Sequence, residues 1–88
     1  MEDVYKEAIN TFGKKMQLLV AIEELGELMK EVIKALRGKE DIDHIAEETA
    51  DVEIMVEQLK LMYGIDNSKI KAAKIERLKS LLKVGENA

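Results

Sequence analysis

Between Lys14 and Arg37 the chain places Leu18, Ile22, Leu25, Met29, Val32 and Leu36 at spacings of three and four. That is the period of a helix with one apolar stripe; a strand, whose sides alternate at every residue, does not produce it. Proline is absent, so nothing forces a break inside a segment. The glycines punctuate instead. Gly13, Gly38, Gly64 and Gly85 divide the chain, and only Gly26 falls inside a periodic stretch. The first segment runs from about Glu2 to Phe12. The third begins near Asp41 or Asp43, either a good N-cap, and runs to about Tyr63 with Ile45, Val52, Val56 and Leu59 as its stripe. The fourth starts at Asp66 or Ser68 and continues through Ile70, Ala73, Ile75, Leu78, Leu81 and Leu82. Four helices with short connections predict an all-α antiparallel bundle.

At 88 residues there is room for a single domain, taken as residues 1–88. Its 47% hydrophobic content is too high for a disordered chain, and its 3% aromatics point away from a β-sandwich. Without cysteine it has neither disulfides nor a thiolate zinc site. The apolar stretches are too interrupted to span a membrane. The start, MEDVYKEAIN, is acidic and unlike a signal peptide, so a cytoplasmic setting is expected. A net charge of −4 with a single His44 argues against a globally basic nucleic-acid binder. A core this small supplies little net stability, and the second and third helices are apolar over more than one neighbour would cover. We therefore expect a homo-oligomer to complete the bundle, most simply a two-fold dimer.

Two acidic clusters stand out. Helix two carries Glu23, Glu24 and Glu27; helix three carries Glu48 and Asp51. Residues three and four apart share a helix face, so each cluster is compact, and an antiparallel hairpin can bring the two together. On helix three the acids interrupt the apolar stripe, and Met55 and Met62 continue their face. The solvent side is already held by Glu53, Glu57 and Lys60. Carboxylates aimed into a helix interface repel one another and lose hydration, which costs several kcal/mol per ion, on the order of magnitude usual for buried charges. A hard divalent cation compensates for this. Mg²⁺ prefers oxygen ligands, and often completes its shell with water and substrate phosphate. One histidine and no thiolate argue against zinc or copper. Glu-x-x-His pairs of the di-iron bundles are missing, since Glu27 follows Glu24 and Asp51 follows Glu48 at that spacing. An all-carboxylate site favours Mg²⁺ or Mn²⁺ serving phosphate chemistry.

With EELGE at Glu23 to Glu27 and EETAD at Glu47 to Asp51, the chain resembles the MazG-like all-alpha nucleoside triphosphate pyrophosphohydrolases. Their pattern is Glu-Glu-x-x-Glu, a spacer, then Glu-x-x-Asp. Phe12-Gly13 followed by Gln17 resembles their lead-in, although relatives often carry tryptophan at the Phe12 position. The likeness covers roughly residues 8 to 82. It implies hydrolysis of an NTP or dNTP to the monophosphate and pyrophosphate, with Mg²⁺ as cofactor and a dimer or tetramer as the working unit. It implies catalytic roles for Glu23, Glu24, Glu27, Glu48 and Asp51. Of these, Glu24, Glu27, Glu48 and Asp51 would be metal ligands, and Glu23 a ligand to a second metal or the group orienting the attacking water. The segment AIEELGEL matches the phosphoribosyl-ATP pyrophosphohydrolases less well.

Other residues admit two readings. Helix four carries Lys69, Lys71, Lys74, Arg77, Lys79 and Lys83, a solvated face or a source of phosphate contacts, for which Lys74 and Arg77 are the candidates. Gln17, two turns before Glu24, is either an exposed polar residue or a contact to base or ribose. His44, two turns before Asp51, is more readily structural than a phosphate contact. Met16, Met29, Met55 and Met62 read as core filler, with Met55 a candidate border of a base pocket. Gly26 either permits close helix approach or is incidental. The competing function is a non-catalytic helical dimerisation module with a vestigial cation site.

Overall fold

A computed structural model of the chain describes residues 1–87. Four helices follow in order: α1 (Glu2–Phe12), α2 (Lys14–Leu36), α3 (Ile42–Tyr63) and α4 (Ser68–Asn87). The described residues contain no strand. Helix ends fall where the sequence puts them, with one exception: α4 passes through Gly85 instead of stopping there. Asp41 is the cap of α3, its Oδ1 accepting from the His44 backbone N–H at 3.1 Å. Gly64 closes α3 in the left-handed region, φ 60° and ψ 39°, with its N–H on the Lys60 carbonyl. Asp66 Oδ1 accepts the Ser68 N–H at 3.0 Å where α4 begins.

α2 and α3 form an antiparallel hairpin, and α1 packs against both. The Lys14 ammonium lies 4.1 Å from the centre of the Tyr63 ring and ties the start of α2 to the end of α3.

Two features of the packing bear on the site. The first concerns α2. Its apolar stripe does not face α3: Ile22, Leu25, Met29, Val32 and Leu36 are all exposed, Ile22 at 67% and Leu36 at 84%. The buried side of α2 is instead the row containing Gln17, Ala21 and Glu31. That row is displaced by about 100° around the helix from the apolar stripe, at 3.6 residues per turn. Spacing identifies residues that share a face; it does not say which neighbour covers that face.

The second concerns closure. α1, α2 and α3 pack together, but α4 packs against none of them. The four-helix bundle is therefore not closed within one chain. Ala21 and Met55 are the buried apolar residues, so Met55 is core as expected, whereas Met16 and Met29 are exposed. The radius of gyration is 16.6 Å; a compact chain of this length has about 12 Å. Among the described residues, no helix is long and apolar enough to cross a membrane.

Candidate metal centre

The α2–α3 interface is a polar seam. Gln17, Glu24 and Glu31 are seven apart on α2; His44, Asp51 and Gln58 are seven apart on α3. Seven residues are nearly two helical turns, so each triplet forms a row along one side. Running antiparallel, the rows meet in order. Gln17 Nε2 donates to Gln58 Oε1 at 2.6 Å, Glu24 and Asp51 bring carboxylate oxygens within 4.8 Å of each other, and Glu31 Oε1 lies 3.9 Å from His44 Nδ1.

The middle of the seam is all carboxylate. Glu24, Glu48 and Asp51 each place an oxygen within 4.8 Å of the others. Glu24 and Glu48 are half-buried. Burial first, then the charge of Asp51 and the hydrogen bond shared with it, raises the Glu24 carboxyl above the usual range, with Glu48 and Glu23 adding repulsion. Burial first, then Asp51, Glu27, Glu47 and Glu31, does the same to Glu48. Glu48 Oε2 is buried without a hydrogen-bond partner among the described residues. A buried carboxylate oxygen normally has a partner, and leaving one without costs its full desolvation. An oxygen-lined site of net negative charge with an orphaned lone pair fits a hard divalent cation, and three carboxylates leave room in its shell for water or phosphate.

The expected residues divide accordingly. Glu24, Glu48 and Asp51 are brought together. Glu23 and Glu27 are exposed beside them, outside the three-residue group, and the Glu27 carboxylate lies 3.9 Å from Lys30 Nζ. Gln17 is neither exposed nor presented to a ligand: it is 6% exposed and its amide is committed to Gln58, itself 4% exposed. Lys74 and Arg77 lie on α4, which does not approach the acids within one chain. His44 is held by its own cap, with Nδ1 3.1 Å from Asp41 Oδ2. Phe12 is exposed at the end of α1. A Cβ at Gly26 would meet nothing within 4 Å, so no helix of this chain approaches there.

Sequence reasoning missed Glu31 and Gln58. Glu31 is buried on the α3-facing row, 3.3 Å from Lys34 Nζ. The signal was the seven-residue step from Gln17 to Glu24 to Glu31, matched by that from His44 to Asp51 to Gln58.

An open groove of about 1050 Å³ lies elsewhere, in the corner where α4 leaves α3. Tyr5, Ile54, Leu61, Ile65 and Lys71 line it with several acids, none of them from the three-carboxylate group.

No protein-family model matches the chain, and no curated protein or solved structure is significantly similar to it.

Proposed function

We propose that the chain is a Mg²⁺-dependent nucleoside triphosphate pyrophosphohydrolase of the MazG-like kind, with Mn²⁺ as the alternative ion. It would convert an NTP or dNTP to the monophosphate and pyrophosphate, as a homodimer or a dimer-of-dimers tetramer. The observation that carries the reading is the unpartnered, buried Glu48 Oε2 within the group of Glu24, Glu48 and Asp51. The spacing of EELGE and EETAD, which resembles that family, supports it independently.

In this reading Glu24, Glu48 and Asp51 would hold the ion. Glu27 joins them by leaving Lys30, a contact that is largely exposed and cheap to break. When bound, such an ion would offset part of the triphosphate charge and polarise the α-phosphorus. Glu23 orients the attacking water or holds a second ion. The water oxygen bonds to the α-phosphorus while the α–β phosphoanhydride bond breaks, and pyrophosphate leaves with the bonding pair. The proton released by the water passes to a carboxylate of the cluster. Lys74 and Arg77, as phosphate contacts, would then have to come from α4 of another copy.

The test is a screen for pyrophosphate release over common and damaged nucleotides with Mg²⁺ and Mn²⁺. Release that disappears in Asp51→Asn, with helical content retained, supports the assignment. No release from any nucleotide overturns it.

A second reading has its own support: Glu27 stands outside the carboxylate group, and no basic residue of α4 approaches it. These features suit a non-catalytic helical module with a vestigial cation site. An unchanged melting temperature with millimolar Mg²⁺ and a non-hydrolysable nucleotide would favour it.

A further inference from the structure

A chain of 10.0 kDa folded as a monomer exposes about 5,200 Å². This one exposes 7243 Å². The excess of roughly 2,000 Å² per chain is more than twice the ~800 Å² that each partner loses in a specific interface of standard size. Two apolar surfaces contribute to the excess. One is the α2 stripe of Ile22, Leu25, Met29, Val32 and Leu36. The other is α4, where Ile75, Leu78, Leu81 and Leu82 are exposed by 45% or more. Among the described residues, α4 packs against no other helix of its own chain. In proteins most of a helix's stability comes from packing of its apolar face, so the apolar side of α4 calls for a cover.

Charge decides which cover. Residues 1–67 hold eight basic and sixteen acidic residues, a charge of −8; residues 68–88 hold six basic and two acidic, a charge of +4. Pairing α4 with α4 brings two cationic helices together, and pairing α2 with α2 brings two acidic bodies together. Pairing α4 with the acidic body satisfies both the apolar surfaces and the charges. The lengths permit it: at 1.5 Å per residue the α2 stripe from Ile22 to Leu36 runs about 21 Å, and α4, about 30 Å long, is able to span it. We infer that two copies of this chain exchange their α4 helices, each α4 lying along the exposed α2 stripe of the other copy. Exchange in both directions gives a closed two-fold dimer in which both stripes are covered. The inference does not rest on the catalytic reading.

The absence of cysteine makes the test direct. Met29→Cys and Leu78→Cys change residues that are exposed in the single chain, so neither disturbs its packing. Light scattering on the unmodified chain should give twice 10.0 kDa; a monomer overturns the inference. With a short bis-maleimide, a mixture of the two single variants should yield a mixed covalent dimer, while each variant alone yields little. The double variant should form cross-links between chains. Closure within one chain would mean that α4 folds back on its own α2, and would overturn the exchange. So would cross-linking of Met29→Cys to itself, or of Leu78→Cys to itself, with no mixed product. Repeating the pairing with Leu25→Cys and Leu82→Cys guards against one position being out of register. The proposed hydrolase activity is read separately, so a catalytically inactive dimer leaves the exchange intact.

Discussion

Gln17 gives its side-chain N–H to Gln58 Oε1 at 2.6 Å, one end of a seam whose other end brings Glu31 toward His44. Both amides are buried. A hydrogen bond of this kind fixes the register of α2 against α3, because sliding either helix would leave two buried amides unpaired.

Breaking it from one side should therefore cost more than removing it. Gln17→Ala leaves the Gln58 amide unsatisfied and should destabilise the fold by about 1–3 kcal/mol. The double substitution Gln17→Leu with Gln58→Leu should be near neutral or stabilising, since no orphan remains. Urea unfolding of both single variants and the double variant measures the coupling.

The acidic cluster should behave in the opposite way. Glu48→Gln removes a repelling charge from a site with an orphaned oxygen, so the metal-free protein should melt higher than the parent. The parent should gain melting temperature with Mg²⁺ or Mn²⁺, by the equivalent of about 2.7 kcal/mol at 100 times Kd. Glu48→Gln and Asp51→Asn should lose most of that gain. Pyrophosphate release should fall by more than the ~10–100-fold typical of residues that only support a metal ligand. A metal response as large in the variants as in the parent would rule out the cluster as the cation site.

The same groups set a pH dependence whose sign is unusual. Glu24 and Glu48 titrate above their ordinary range in the folded state, so between the ordinary and the raised value the folded protein binds more protons than the unfolded chain. Their contribution to stability falls as pH rises through that window. Asp66 acts the other way: the Ser68 N–H, then its side chain, lowers its carboxyl, and that stabilisation is lost as pH falls through the lowered value, below the usual 3.8. Metal-free protein should thus lose stability as pH rises from the ordinary carboxyl range through the raised values of Glu24 and Glu48, and a saturating cation should flatten or reverse the slope. Melting curves in matched buffers check this; Glu48→Gln should weaken the slope.

Two glycines should respond in opposite directions to alanine. Gly64 stands at φ 60°, where a Cβ costs roughly 1–2 kcal/mol. The space around it is open, so that cost is purely conformational. Gly26 is in mid-helix and equally open, so Gly26→Ala should stabilise by about 1 kcal/mol. For a domain this size each kcal/mol moves the melting temperature by about 4–8 °C. A destabilised Gly26→Ala would show that a second copy packs on that Cα.

The helices themselves were legible from residues. Asp41, Gly38 and Gly64 lie at the helix ends, and capping is local chemistry that needs no neighbour. Half of the proposed site was legible too. The three-residue steps from Glu24 to Glu27 and from Glu48 to Asp51 put acids on shared faces, and the hairpin gathers Glu24, Glu48 and Asp51 as anticipated. Gln17 and His44 lie two turns from the acids, but spacing alone does not join them as ends of one seam.

What the sequence by itself determined, then, is the set of helices and the residues that share each face, because both follow from a fixed 3.6-residue period. What the tertiary structure decided is the direction each face takes. It turned the polar row of α2 toward α3, committed Gln17 to Gln58, buried Glu31, left Glu27 beside Lys30, and kept α4 off the body of its own chain. Those choices depend on the rotation of one helix against another. That rotation is set by the pairing of side chains far apart in sequence, Gln17 with Gln58 and Glu24 with Asp51, which no single helix period encodes.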